Sequence, residues 1–238
     1  MPPLTNKTVV IIGATSGIGL ASARLAAEAG ASVWGASRSQ ENVDKAAAEF
    51  PGINFVAVDT HDVRGLSMLF ESIGKIDHIV ACATGANRTM APFMDQTDEQ
   101  FREAFGKFWG YCNVVRQGVP YLTASGSVTL VSGSPARKCN PGMSSISCVG
   151  NAVEALTRAL AAELAPRRVN VVAPGIIDTG MFDRFGEKKA EALANMGKNI
   201  LLGRVGQSEE VASAIIHAMT NTYMTGSTLD VDGGALLP

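Results

Sequence analysis

Val9-Val10-Ile11-Ile12 runs directly into Gly13-Ala14-Thr15-Ser16-Gly17-Ile18-Gly19, and this junction constrains the fold more than any other stretch of the chain. Four consecutive β-branched residues read as a buried strand. The three glycines break that strand into a tight loop. Leu20 to Ala29 then follows as an Ala-rich helical pattern that Gly30 stops. A strand, a glycine loop and a helix in that order aim backbone N–H groups at a phosphate lying on the helix N-terminus. Gly13 takes a backbone conformation closed to other residues. Gly17 lets the main chain approach a pyrophosphate, and Gly19 lets helix and strand pack closely. The junction therefore predicts a dinucleotide site, held by Gly13, Thr15, Ser16, Gly17, Ile18 and Gly19.

The same alternation continues down the chain. Strands are expected at 31–36, 53–58, 76–81, 128–131, 169–172 and 227–231. Helices are expected at 42–50, 63–73, 98–119, 144–164 and 208–219, with a shorter one near 187–196. Strands alternating with helices give a doubly wound, mostly parallel sheet, with ligands outside the strand carboxyl ends. At 238 residues and 46% hydrophobic content, the chain suits one α/β domain over 1–238. Asp59 and Thr60 follow the third strand, where an adenine should lie, although Asp59 is also placed to cap the next helix. Small residues at 82–85, Ala83 among them, fit a wall beside the cofactor. The long segment 176–202 after the sixth strand is of the kind that covers a ligand.

Cofactor choice turns on the end of the second strand. Acidic residues there hold the ribose 2′-hydroxyl of NAD, whereas an arginine accommodates the 2′-phosphate of NADP. The chain has Ser37-Arg38 and no acid, which favours NADP(H) over NAD(H). The net charge of −2 gives no reason to expect nucleic acid or a membrane surface. The residues before the first strand include no apolar signal region, and no apolar run reaches the length of a membrane span. Cys82, Cys112, Cys139 and Cys148 are widely spaced and read as free thiols in a cytoplasmic protein, with no metal site.

Four stretches keep the order and spacing of one family: the glycine loop 13–19, Arg168–Gly175, Gly203–Ala212 and Thr225–Gly234. On these the chain resembles the short-chain dehydrogenase/reductase family over essentially its whole length. The resemblance implies a seven-stranded Rossmann sheet, a nicotinamide cofactor and a small-molecule substrate. It also implies a homodimer or homotetramer, and places Pro174, Gly175, Ile177 and Thr179 at the cofactor. The family's catalytic residues do not carry over. Its Tyr-x-x-x-Lys motif aligns with Ile146 and Gly150, its serine with Gly133 and its helix asparagine with Lys107. Lys107 is the one charged replacement, among Phe101, Phe105, Phe108 and Trp109, where burial depresses an amine pKa. Ser132 and Ser134 flank the vacant serine position. These three are the candidate catalytic residues. Tyrosine at 146 with lysine at 150 would put the usual pair back on one helix face. The leading expectation is a divergent NADP(H)-dependent oxidoreductase, reducing a small carbonyl or related substrate with a non-standard site. The alternative is a catalytically inactive cofactor-binding sensor or interaction subunit.

Overall fold

In the computed structural model, which describes residues 4–84 and 88–237, the β-branched run becomes the central strand β1 (Thr8–Ile12). Its apolar side chains are buried on both faces, with Val9, Val10 and Ile11 wholly inaccessible. A strand of that kind needs cover above and below, which parallel crossover connections supply. In chain order the elements are α1 (Gly17–Glu28), β2 (Ser32–Ser37), α2 (Gln40–Glu49), β3 (Asn54–Ala57), α3 (Val63–Ile73) and β4 (Ile76–Ala81). They continue with α4 (Asp98–Gly118), β5 (Leu122–Val131), α5 (Ser144–Glu163), β6 (Arg168–Pro174) and β7 (Ile177–Asp178). The last are α6 (Lys189–Gly197), β8 (Gly206–Gln207), α7 (Ser208–Thr220) and β9 (Thr228–Val231).

Seven strands form one parallel sheet in the order β3-β2-β1-β4-β5-β6-β9. The order reverses between β1 and β4, which opens a crevice at their carboxyl ends. One face of the sheet buries Val10, Ile12, Leu66, Phe70, Tyr111, Val114 and Val153 beneath α3, α4 and α5. The other buries Val9, Ile11, Ala23, Ala26, Val211, Ile215 and Met219 beneath α1 and α7. This is a single α/β Rossmann domain. Arg168, buried at the start of β6, donates to the carbonyls of Ala218, Met219 and Met224, and so neutralises the electronegative end of α7.

Two local expectations change, at the start of β5 and at the cap of α3. Strand β5 begins at Leu122 rather than 128, because its register slips between the Ile76–Leu122 and His78–Ser127 pairs, and polar residues occupy the slip. Helix α3 is capped by Asp62, which accepts from the Gly65 N–H, while Asp59 accepts from the His61 N–H. Helix α7 is capped by Gln207 in a reciprocal pair with Glu210, one residue before Ser208. The 176–202 segment holds β7, a short helical stretch over Gly180–Lys188 kinked at Gly186, and α6. Residues 85–87 lie outside the described residues, and the chain beyond them forms a turn at Phe93–Asp95.

Candidate active site

The glycine loop has the geometry expected for a bound pyrophosphate. Gly13 sits at φ +92°, and a Cβ there would lie 2.6 Å from the Ala83 nitrogen, so β1 and β4 close only over glycine. A Cβ on Gly19 would lie 2.0 Å from the Gly13 carbonyl oxygen. Gly17 has a second requirement that the spacing did not reveal. Its φ is +52°, and a Cβ would meet the Thr179 methyl at 3.2 Å. The first turn of α1 has no acidic residue, and Ser16 makes no side-chain capping bond. Its N–H groups and the positive end of the helix therefore face the crevice without a side-chain partner.

The remaining cofactor candidates gather along the same edge. Ser37 ends β2, and Arg38 follows it exposed, with no ion pair among the described residues. Thr60 is pinned beneath α4: Asn113 donates to its carbonyl at 3.0 Å, and a Cβ on Gly110 would lie 2.5 Å from its hydroxyl. Ala83 follows β4, and Pro174 ends β6. Gly175 donates to the Val231 carbonyl, and Ile177 is buried in β7. Thr179 accepts from the Met181 N–H, which turns its methyl toward Gly17. These residues form a cradle that fits a nicotinamide dinucleotide along the strand ends.

Beside it, α4, α5 and the segment after β5 enclose a cavity of about 50 Å³. Lys107, Gly133, Ile146 and Gly150 all line it, together with Ser132, Ala136 and Arg88. The four aligned positions, scattered over 44 residues of sequence, therefore converge on one point. Lys107 is partly buried and donates through Nζ to the Ser132 carbonyl at 3.3 Å. Its ammonium also lies 5.4 Å from the centre of the Tyr111 ring. Burial, aided by the Arg88 guanidinium, pulls its pKa down to about 7. Burial pushes the neighbouring Cys82 thiol up to about 12, so it stays protonated. Tyr111 is a core residue, its hydroxyl donating to the Val131 carbonyl and its phenol held well above the usual range by burial.

The two serines are differently placed. Ser132 lines the cavity, but its hydroxyl donates to Glu154 Oε1 at 3.0 Å. Ser134 does not line it and starts the Ser134–Ala136 turn, its carbonyl accepting from the Arg137 and Lys138 N–H groups. Three residues were missed in the sequence. Glu154, only 5% exposed, pairs with Arg137 at 3.5 Å, and Arg137 also forks onto Asp230 of β9. Together they hold the turn against α5, so that Ala136 fills the space above Gly150. The available signal was a glutamate on the otherwise uncharged face Val149, Gly150, Val153, Thr157. Among the described residues no three His, Cys, Asp or Glu side chains gather as a metal site.

The family model described as enoyl-(acyl carrier protein) reductase matches residues 13–235. Short-chain dehydrogenase/reductase ATR9 of Stachybotrys chlorohalonatus is 34% identical over 255 residues, covering 100% of both chains. The 3-oxoacyl-[acyl-carrier-protein] reductase FabG of Thermotoga maritima is 33% identical, covering 98% of this chain and 99% of that one. A small-chain dehydrogenase solved in complex with NADPH superposes with a TM-score of 0.86 at 32% identity, over 98% of this chain and 100% of that one. The chain belongs to the short-chain dehydrogenase/reductase family, a family of oxidoreductases.

Proposed function

We propose that the protein is an NADP(H)-dependent reductase of a small carbonyl or related double bond, in which Lys107 takes the place of the family's phenol and lysine on α5. The observation that carries this reading is the position of Lys107 in the wall of the cavity that Ile146, Gly150 and Gly133 also line. Gly13, Gly17 and Gly19 would seat the pyrophosphate on α1, and Arg38 would meet the 2′-phosphate. The NADPH complex of a similar protein supports that cofactor. When bound, the nicotinamide supplies a hydride. The chain's own contribution is the proton and the positive charge. Ile146 carries no acid and Gly150 no cation, whereas a Lys107 ammonium with a pKa of about 7 is matched to donating a proton near neutrality. The Ser132 carbonyl orients that amine, and the Ser132–Glu154–Arg137 chain fixes the carbonyl. A homodimer or homotetramer in the cytoplasm completes the reading.

The test is a cofactor titration followed by a carbonyl and alcohol screen at the nicotinamide absorbance. Reduction should fall as pH rises through about 7 and the ammonium deprotonates. Lys107→Met should lower kcat by about a hundredfold or more, with cofactor affinity kept. Turnover that survives this change with its pH profile intact would refute the role of Lys107. Tight cofactor binding without turnover on any substrate would favour the sensor or interaction subunit.

A further inference from the structure

The cavity beside Lys107 gathers positive charge without a counter-charge. Lys107 enters its wall from α4, and Arg88, between β4 and α4, forms part of the same wall. Arg88 is also exposed, so it stands where the cavity opens. Arg184, on the Gly180–Lys188 stretch, comes near enough for its charge to act on Arg88. None of the three forms an ion pair among the described residues. No Asp or Glu lines the cavity, and Glu103, one turn before Lys107 on α4, stays outside its wall. Asp183, beside Arg184 in the chain, is taken by Lys189 at 2.8 Å. Glu154 is taken by the Ser132 hydroxyl and Arg137.

This arrangement is unfavourable until an anion answers it. Like charges repel, and a cation drawn partly out of water is left short of solvation. Desolvation, then the Arg184 guanidinium, lower the pKa of Arg88. Desolvation, then the Arg88 guanidinium, lower that of Lys107. Among the described residues the hydrogen-bond partner of Arg88 is a thioether, the Met181 sulfur at 3.5 Å from Nη1, which is a weak acceptor. Met181 lies on the same stretch as Arg184, so the segment after β7 meets Arg88 at the opening. A cleft of one sign concentrates ligands of the other, and a guanidinium forks onto a carboxylate through two parallel bonds. The remaining wall sets the size of the occupant. Ala104, Pro135, Ile146 and Val149 are apolar, and the volume is about 50 Å³. The cavity therefore suits a short molecule with an apolar body and one anionic end.

We propose that this site is specific for a short-chain oxo acid, with Arg88, assisted by Arg184, as the residue that holds the carboxylate. The carbonyl end of that substrate rests on the reductase reading above, so the carboxylate contact is tested apart from turnover. Butanoate and butanamide match in size and shape, and neither carries a ketone to reduce. Each is titrated into the whole protein saturated with NADP⁺ and followed by saturation-transfer NMR. Butanoate should bind about tenfold to a hundredfold more tightly, the worth of a charge-assisted contact. Arg88→Gln should bring that ratio to about one, and Arg184→Gln should lower it by a smaller factor. Arg88→Lys should keep part of it, since a point charge then replaces a fork. In parallel, 2-oxobutanoate and 2-oxobutanamide are compared as substrates with NADPH, and the same preference should appear in kcat/KM. Equal affinities for butanoate and butanamide in the unmodified protein would overturn the proposal, as would an acid preference that survives Arg88→Gln. Acid binding through Arg88 with no reduction of any carbonyl would overturn the reductase reading and leave the carboxylate site standing. Reduction of neutral ketones with no preference for acids would do the reverse.

Discussion

Gly150→Ala is the sharpest test of how the cavity beside Lys107 is built. Taken alone, alanine is the better helix former by about 1 kcal/mol. The structure opposes that gain. A Cβ at position 150 would lie 2.8 Å from the Ala136 Cβ and 3.2 Å from its Cα, closer than side-chain carbons approach. Overpacking of this kind costs about 1–3 kcal/mol, because the turn or the helix must shift. The turn does not yield freely, being held through Arg137 to Glu154 and Asp230. The expected result is therefore a coupling, read from urea denaturation at fixed pH. Gly150→Ala should be neutral or destabilising by up to about 2 kcal/mol in the native background, the difference of those two effects. In an Ala136→Gly background it should be stabilising, with a coupling of about 1–3 kcal/mol between the sites. Independent, additive effects of the two changes would refute the reasoning. The same contact bears on Ile146→Tyr with Gly150→Lys, the change that would place the usual pair on one helix face. Lysine at 150 meets Ala136 first, so the double variant should lose stability without gaining reductase activity, and Ala136→Gly should be needed before any gain appears.

Arg38→Ala should cut the preference for NADPH over NADH by about tenfold to a hundredfold, the worth of a charge-assisted contact, and equal affinities in the unmodified protein would dismiss that contact. Gly17→Val should abolish cofactor binding, measured by fluorescence titration, since a β-branched residue at φ +52° is strained and meets Thr179; a folded variant that binds normally would move the pyrophosphate elsewhere. Burial holds His78 at a pKa of about 4, against an ordinary 6.5. Between those values the unfolded chain binds a proton that the folded chain refuses, so stability should fall as pH drops from about 6.5 to 4, by about 3 kcal/mol. His78→Asn should flatten that slope in denaturation curves, and an unchanged slope would assign the loss to other groups.

The parts of this molecule that could be read in sequence are those fixed by local rules. Positive φ at Gly13 and the near-contact of Gly19 with the Gly13 carbonyl admit one residue type, so spacing alone located the loop. The β-branched runs identified their strands because both faces are buried, and periodicity placed α4 and α5 to within a residue at their ends. The start of β5 escaped because Thr123 to Gly126 are small residues without an alternating apolar pattern and sit at a slip in register, where strand pairing depends on β4 rather than on the segment's own pattern.

The turn at 134–136 escaped for a stronger reason. A Gly, Ser and Pro-rich stretch has no period, and its position is set from outside by Arg137 reaching Asp230, 93 residues further along. The sequence alone gives Gly133, Ile146 and Gly150, three positions without a polar side chain. The fold shows that the space above Gly150 is occupied by Ala136, and that Lys107 of α4 and Arg88 both line the cavity beside it. A missing side chain at a motif position is thus a statement about the backbone that packs there, and the chemistry that remains has to be sought among whichever groups the new packing turns inward. Here the repacked turn leaves Ser132 between two partners, its carbonyl on Lys107 and its hydroxyl on Glu154. The amine is therefore held by the same residue that is tied, through Glu154 and Arg137, to the turn that packs against Gly150.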